Sequence, residues 1–388
     1  MMTREELRTL AAFESPEHGA ISFYFQPWKP RDQSHRDESI LVRDLVRAAE
    51  RSADGRKSPS RADFDRIMAL SETLKSNHSQ AKAVFACERA GLWRELDLPA
   101  RLPRTELFVN RRLHLRPLAA LLDSVPRAAV AIVDRKRARL FDFCMDEITE
   151  FADFQSDMPR MGRSSYGYQG YNAGHVERHA EYHAMQHFKY VADRLLERYG
   201  NGNGFEKLIV GCRDEVWPEI EAQLHPYLRN ALVGRFSMDV ATAVTEDVRR
   251  QAARILEADL ANHRSGLVRE VLGQARRNGA GSVGLRHVLA SLERAEVQAL
   301  LVGSRFTAAA VECSNCGHVD TRMVRECAVC AHPTRELDDV VDALVSLALR
   351  NSAEILYVSD DAEFERAGNV GALLRFRADQ RTADKVAS

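Results

Sequence analysis

Val311-Glu-Cys313-Ser-Asn-Cys316-Gly-His318, and the run Cys327-Ala-Val-Cys330-Ala-His332, with ten residues between Cys316 and Cys327, hold four of the seven cysteines in this chain. Each Cys-x-x-Cys pair can turn back on itself and offer two thiolates to one tetrahedral centre, which is how structural zinc is held. Four sulfurs close such a site, so a Zn2+ ion on Cys313, Cys316, Cys327 and Cys330 is expected to staple the local fold and not to catalyse. His318 and His332 lie near enough to replace a thiolate. The duller readings are a degenerate ribbon without metal, a redox pair, or disulfides. Around the ribbon (311–334), the helical pattern Leu285–Arg294, the apolar runs Val297–Val302 and Thr307–Val311, the helix Asp338–Leu349 and the strand Ile355–Val358 predict an α/β unit, with the ribbon inserted between a strand and a helix.

The same alternation extends towards the N-terminus. Ala20–Phe25 reads as a strand, 38–51 and 61–74 as helices, and Ala83–Cys87, Leu107–Val109, Ala128–Val133 and Arg139–Phe143 as strands, with a helix at 115–122 carrying Pro117 in its first turn. A second unit opens with Ile148–Phe154, passes through a turn-rich loop (158–174) and enters a long helix over 175–199 that stops at Gly200-Asn-Gly-Asn-Gly204. The strand Lys207–Gly211, the helix Val216–Leu224 and a return to the sheet over 231–240 follow. Thr245 is placed to cap a helix over 246–277, with Gly266 a candidate break. The fold class is therefore α/β: three domains, each with a mixed sheet and flanking helices, divided as 1–145, 146–244 and 245–388, with the zinc ribbon in the third.

Composition sets limits. The 388 residues carry a net charge of −1, so any nucleic-acid surface must be local. The start, Met1-Met-Thr-Arg-Glu-Glu-Leu, lacks the layout of a signal peptide, and runs such as Ala128–Val133 are too short to cross a bilayer. A cytoplasmic protein with reduced thiols, working away from membranes, is expected.

Gly279-Ala-Gly281-Ser-Val-Gly284 matches Gly-x-Gly-x-x-Gly, but a dinucleotide site needs a strand before it, and here a helix precedes it; it reads as a helix-to-helix turn. His175, His179, His183 and His187 recur every fourth residue and so form a slowly twisting stripe on the long helix. Neighbouring pairs could chelate a metal, but no third ligand is evident. With Arg178, Lys189, Arg194 and Arg198 the stripe reads as a polar face, lying against phosphates or simply solvated. The loop Arg160-Met-Gly-Arg163-Ser-Ser-Tyr-Gly-Tyr168-Gln169-Gly170-Tyr171-Asn172-Ala-Gly174 combines glycines, which let the backbone approach a ligand, with tyrosines and arginines that can stack on bases and meet phosphates. It reads equally as a disordered surface loop.

At this loop and helix the chain resembles the archaeo-eukaryotic class-one release factors and Pelota, and more closely their bacterial relatives, which include the hibernation factor Balon. Phe23-Tyr-Phe and Leu115-Arg-Pro-Leu resemble the N-terminal domain of the bacterial group, while Gly279 to Val302 and Gly371-Ala-Leu-Leu-Arg-Phe376 resemble the third domain. The resemblance covers most of the chain and rests on the order of its parts. It implies a three-domain protein of the ribosomal A site: the first domain facing the decoding centre, the middle loop facing the peptidyl-transferase centre and P-site tRNA, and the third contacting the stalk base or a translational GTPase such as elongation factor Tu. It implies that Tyr168, Gln169, Gly170, Tyr171 and Asn172 form the loop tip, and that Arg160, Arg163, His175, Arg178, His179 and His183 face RNA.

The departures from the family pattern carry weight. Release factors bear Gly-Gly-Gln at the loop tip, and counting back from Arg178-His179 that tripeptide falls on Gln169-Gly170-Tyr171. The chain also lacks the stop-codon-reading Asn-Ile-Lys-Ser, so codon-specific termination is not expected. Ribosome hibernation or protection is the first expectation; rescue by peptidyl-tRNA hydrolysis, with Gln169 as the catalytic residue, is the second. A metal enzyme built on the histidine stripe is a third, and would bind more than one metal per chain.

Overall fold

The computed structural model describes residues 4–15, 19–26, 35–52, 59–74, 81–98, 102, 104–124, 127–144, 147–155, 173–199, 204–337 and 339–377. They fall into two compact units, one made of residues 1–123 and 264–388, the other of residues 124–263.

The first part of the larger unit comprises α1 (Arg4–Ala12), β1 (Ala20–Phe25), α2 (His35–Ser52), α3 (Arg61–Leu74), β2 (Ala81–Cys87), β3 (Leu92–Leu98), β4 (Glu106–Asn110) and α4 (Arg116–Ser124). Its sheet has the order β3-β2-β1-β4 and is antiparallel. All six residues of β1 are buried because both faces of this strand are covered: Ala20 and Tyr24 enter one core, Ile21, Phe23 and Phe25 another. That two-sided burial is why the run does not alternate between apolar and charged residues; its one small polar side chain, Ser22, is buried and accepts a hydrogen bond from the His114 backbone N–H. The edge strand β3 carries Arg94, Glu95 and Asp97, charges that discourage pairing with another chain and that hide a strand from a search for apolar runs.

The smaller unit comprises β5 (Ala128–Val133), β6 (Arg137–Cys144), β7 (Glu147–Gln155), α5 (Ala173–Tyr199), β8 (Lys207–Gly211), α6 (Trp217–Gln223), α7 (Pro226–Ala231), β9 (Leu232–Phe236) and the first part of α8 (Thr245–Arg276). Its five-stranded sheet has the order β7-β6-β5-β8-β9 and is mixed: β5 and β8, and β8 and β9, are parallel, while β5–β6–β7 is an antiparallel meander. The strands at 128–133 and 139–143, grouped from sequence with the N-terminal unit, therefore belong to this second sheet. The reason is local: the turn Asp134–Arg137 makes β5 and β6 a hairpin, and β5 pairs with β8. On β5 the side chains of Ala129, Ala131 and Val133 enter one core, Ala128, Val130 and Ile132 another.

In the last part of the chain come β10 (Gly281–Val283), α9 (Leu285–Glu293), β11 (Val297–Gly303), β12 (Ala310–Cys313), β13 (Val319–Asp320), β14 (Thr334–Leu337), α10 (Val341–Arg350), β15 (Glu354–Val358), α11 (Ala362–Arg366) and β16 (Val370–Leu374). A mixed sheet runs β10-β16-β11-β15, and a separate antiparallel sheet β13-β12-β14 forms the ribbon between β11 and α10. The strand expected at 307–311 is β12, which serves the ribbon and not the larger sheet. The Gly279–Gly284 segment contains a strand, β10, where a plain helix-to-helix turn was expected. A side chain at Gly281 would come 2.3 Å from the Val271 carbonyl, so the glycine lets β10 lie against the end of α8. α8 runs unbroken through Gly266. A mid-helix glycine costs about 1 kcal/mol, and the apolar side chains on either side hold the helix: Val248, Ala252 and Leu256 in one core, Val268, Val271 and Leu272 in another.

The fold class is thus mixed α/β, with several sheets and flanking helices. The expected three-way division is finer than the observed split, because residues from both ends of the chain share one core: Leu7, Tyr24, Phe85 and Leu118 pack in the same cluster as Leu292, Leu300, Val302 and Leu344.

Candidate functional site

The four cysteines converge. Cys313 ends β12, Cys316 sits in the turn that follows, and Cys327 and Cys330 occupy a second turn before β14. Their Sγ atoms all lie within 4.8 Å of one another. Cys313 and Cys330 are 3.4 Å apart, Cys316 and Cys330 3.5 Å, and Cys316 and Cys327 3.7 Å, all as free thiols. A tetrahedron of sulfurs around zinc, with bonds near 2.3 Å, has edges of about 3.8 Å. The donor set and its spacing therefore fit a closed four-sulfur metal site.

The two turns are built alike. The backbone N–H groups of Asn315 and Cys316 donate to Cys313 Sγ, and that of Val329 donates to Cys327 Sγ, each at 3.4 Å. Cys313 N donates to the His318 carbonyl and Cys327 N to the His332 carbonyl, at 2.8 and 2.9 Å. Gly317 and Ala331 close the turns with φ of +71° and +55°. The sequence therefore contains an internal repeat, Cys-x-x-Cys-Gly/Ala-His, that cysteine spacing alone did not bring out. Its histidines are not in the sulfur shell: His318 Nδ1 meets Glu293 at 2.7 Å, and His332 Nδ1 donates to the Cys330 carbonyl at 2.9 Å. The thiols differ in acidity. The His332 backbone N–H, then the neighbouring thiols, hold Cys330 down to about 5. For Cys316 the His318 backbone N–H pulls downward, but burial and the surrounding thiols push it up to about 12. The other thiols are of a different kind: burial pushes Cys144 and Cys212 above the usual range, and Cys87 Sγ lies 3.6 Å from Ser15 Oγ.

The second candidate site is the loop and its helix. Arg160, Arg163, Tyr168, Gln169, Gly170, Tyr171 and Asn172 lie outside the described residues. The helix α5 starts at Ala173, two residues earlier than expected, and includes His175, whose side chain is also outside them. Arg178 and His179 are exposed and His183 is half-buried; the rings of His179 and His183 lie 5.6 Å apart. No residue from 178 to 183 is buried, so roughly 9 Å of helix precedes the first core contact at Ala184.

The histidine stripe then divides. His187 is only 5% exposed, among the residues that seat α5 on the sheet, with Nε2 lacking a hydrogen-bond partner. Burial lowers its pKa, opposed by a hydrogen bond to the Arg137 backbone. This is a neutral core histidine and no part of a polar face. The four-residue spacing could not reveal this, because a stripe that drifts by about 40° per step passes from solvent into the core. Of groups of three or more ligating side chains close enough to share an ion, the described residues contain the cysteine quartet.

No helix of the described residues is long and apolar enough to cross a membrane. The chain has no match among curated proteins. Its sequence over residues 114–257 matches the family Bacterial archaeo-eukaryotic release factor family 10, a span covering α4, the whole five-stranded sheet with α5, and the first part of α8. Among solved structures, it is similar to the archaeal translation termination factor aRF1 (15% identity, covering 97% of this chain and 99% of that one, TM-score 0.25). It is likewise similar to Archaeoglobus fulgidus Pelota (12% identity, 97% and 93%, TM-score 0.34) and to S. cerevisiae Dom34, a translation termination-like factor (10% identity, 78% and 81%, TM-score 0.40). The sheet β7-β6-β5-β8-β9 and the helix α5 thus lie in the stretch whose sequence matches the bacterial archaeo-eukaryotic release factor family.

Proposed function

We propose that this protein binds the ribosomal A site and shields idle ribosomes, without reading a stop codon. The observation that carries the reading is the family match over 114–257, which takes in α5 with its solvent-facing Arg178 and His179 and the loop before it. On this reading the middle loop, with Tyr168, Gln169, Gly170, Tyr171 and Asn172 at its tip, enters the peptidyl-transferase region beside P-site tRNA. Arg160, Arg163, His175, Arg178, His179 and His183 meet ribosomal RNA, where cations contribute through phosphate contacts. The three-domain division, 1–145, 146–244 and 245–388, assigns decoding-centre, peptidyl-transferase and stalk-base or GTPase contacts in turn, with elongation factor Tu as the candidate GTPase. The quartet Cys313, Cys316, Cys327 and Cys330 holds one structural Zn2+, and the protein works in the cytoplasm.

A second reading is rescue by hydrolysis of peptidyl-tRNA. Gln169 favours it, being the glutamine nearest the family's Gly-Gly-Gln position. Tyr171 opposes it, because a bulky side chain stands where that glutamine belongs, and a misplacement of about 1 Å can cost about a hundredfold in rate. Co-sedimentation with 70S ribosomes tests the shared part of both readings: no binding at modest ionic strength, with or without tRNA, removes both. Peptide release from stalled complexes separates them. Release by the wild type that Gln169→Ala abolishes establishes the hydrolase; no release from either leaves the shield. Elemental analysis is expected to give one zinc per chain.

A further inference from the structure

The segment Arg111-Arg112-Leu-His114-Leu-Arg116 joins β4 to α4, and each of its polar side chains reaches the C-terminal part of the same compact unit. Arg111 Nη1 donates to the Ser314 carbonyl at 3.0 Å, Arg112 Nη1 meets Glu312 Oε1 at 2.5 Å, and Arg116 Nη1 donates to Asp339 at 2.6 Å. His114 pairs with Asp342, while Leu113 and Leu115 enter the core that both chain ends share. Behind this segment Glu14 collects Arg111, Arg112 and Arg350, and the buried Glu312 collects Arg112 and Arg335.

Three of these contacts fall on one cysteine turn. Glu312 precedes Cys313, Ser314 lies between Cys313 and Cys316, and Gly317 follows Cys316. A side chain at Gly317 would come 2.5 Å from Arg112 Nη2, so the guanidinium rests against the turn itself. The charges are complementary as well. Four guanidiniums, those of Arg111, Arg112, Arg335 and Arg350, share two carboxylates, those of Glu14 and Glu312, and leave a positive excess. Four thiolates around a divalent ion leave a negative one.

We propose that Arg112, with Arg111, is a positioning residue for the metal centre: it fixes the first cysteine turn, so that metal loading and docking of the N-terminal sheet on the C-terminal sheet form one linked equilibrium. The inference rests on the zinc reading. Linkage makes the effect reciprocal: loosening the arginines weakens metal retention, and removing the metal loosens the arginine segment.

The test uses the full-length, zinc-loaded protein. Zinc transfer to a chromogenic chelator is timed for the wild type, Arg111→Gln and Arg112→Gln, with Arg322→Gln, whose ion pair is to Asp320 inside the ribbon, as control. Release from Arg112→Gln is expected to be faster than wild type by at least about fivefold, with the control unchanged; a smaller effect overturns the proposal. Hydrogen exchange of the wild type before and after chelation needs no substitution. Protection is expected to fall over 106–116 and to hold over β11. No change over 106–116, or an equal loss over β11, overturns the proposal. A chain that neither carries nor takes up zinc ends the zinc reading and this inference together, whereas a zinc protein whose arginine segment ignores chelation ends the inference alone.

Discussion

Ala331 and Gly317 occupy equivalent corners of the two cysteine turns, both with positive φ. Glycine adopts that backbone at no steric cost, whereas an L-residue there costs about 1–2 kcal/mol. Replacing Ala331 by glycine also frees the unfolded chain, which offsets about 0.4–1 kcal/mol of the gain. Ala331→Gly is therefore expected to stabilise the protein by about 0.5–1 kcal/mol, read as a higher urea midpoint with an unchanged slope. At residue scale His187 offers a second prediction. It is buried, and its pKa is depressed, so the unfolded chain binds a proton more readily. Its contribution to stability is complete above the unfolded value near pH 6.5 and is lost as pH falls below it. Between pH 7.5 and 5.5 the melting temperature of wild type should fall more than that of His187→Leu; equal slopes in the two proteins would show that the imidazole stays neutral or finds a partner. The quartet's members could be read from spacing, since two Cys-x-x-Cys pairs leave few other arrangements. The fate of His318 and His332 could not, because Glu293 and the Cys330 carbonyl claim them only in three dimensions.

Among elements, α5 was the most legible and the most deceptive. Its length followed from helical periodicity and from the glycine run that stops it. Where its face turns inward did not, since that depends on the sheet beneath, where Phe188, Val191 and Leu195 are buried. The turns before Ala184 carry Arg178, His179 and His183 outside the core. If these meet phosphates, the combined variant Arg178→Gln, His179→Gln, His183→Gln should bind ribosomes more weakly and with a shallower salt dependence, the log–log slope changing by roughly one for each phosphate no longer neutralised. Affinity and slope matching wild type would move the RNA-binding surface elsewhere. β5 could be found from its unbroken apolar run, and β1 from a run broken only by Ser22, patterns that two covered faces favour. β3 could not, being a charged edge strand, and α7 was missed because six residues carry too little periodicity to register.

At the scale of the whole molecule, Glu14 ties the N-terminal segment to Arg350 near the chain's other end, in the same compact unit. Burial would raise its pKa, but Arg350 and Arg112 hold it down to about 2, against an ordinary 4.5. A depressed carboxylate stabilises the fold above its unfolded value and loses that contribution as pH falls through the folded one, so the window here runs from about 4.5 to about 2. Allowing for its partial exposure, the carboxylate contributes about 1–2 kcal/mol. Glu14→Gln should lower stability at pH 7 by about that much and flatten acid denaturation below pH 4.5; acid curves that superimpose would remove Glu14 from the account. The amino-acid sequence by itself determined the alternation of helices and strands, the pairing of the four cysteines and the long helix α5, because periodicity, capping and Cys-x-x-Cys spacing act within a few residues. Tertiary structure alone decided which sheet 128–144 would join, that the first and last segments would share a core, and that arginines 111 and 112 would rest on a cysteine turn about two hundred residues away. Such pairings depend on long-range burial and charge complementarity, which no local pattern encodes.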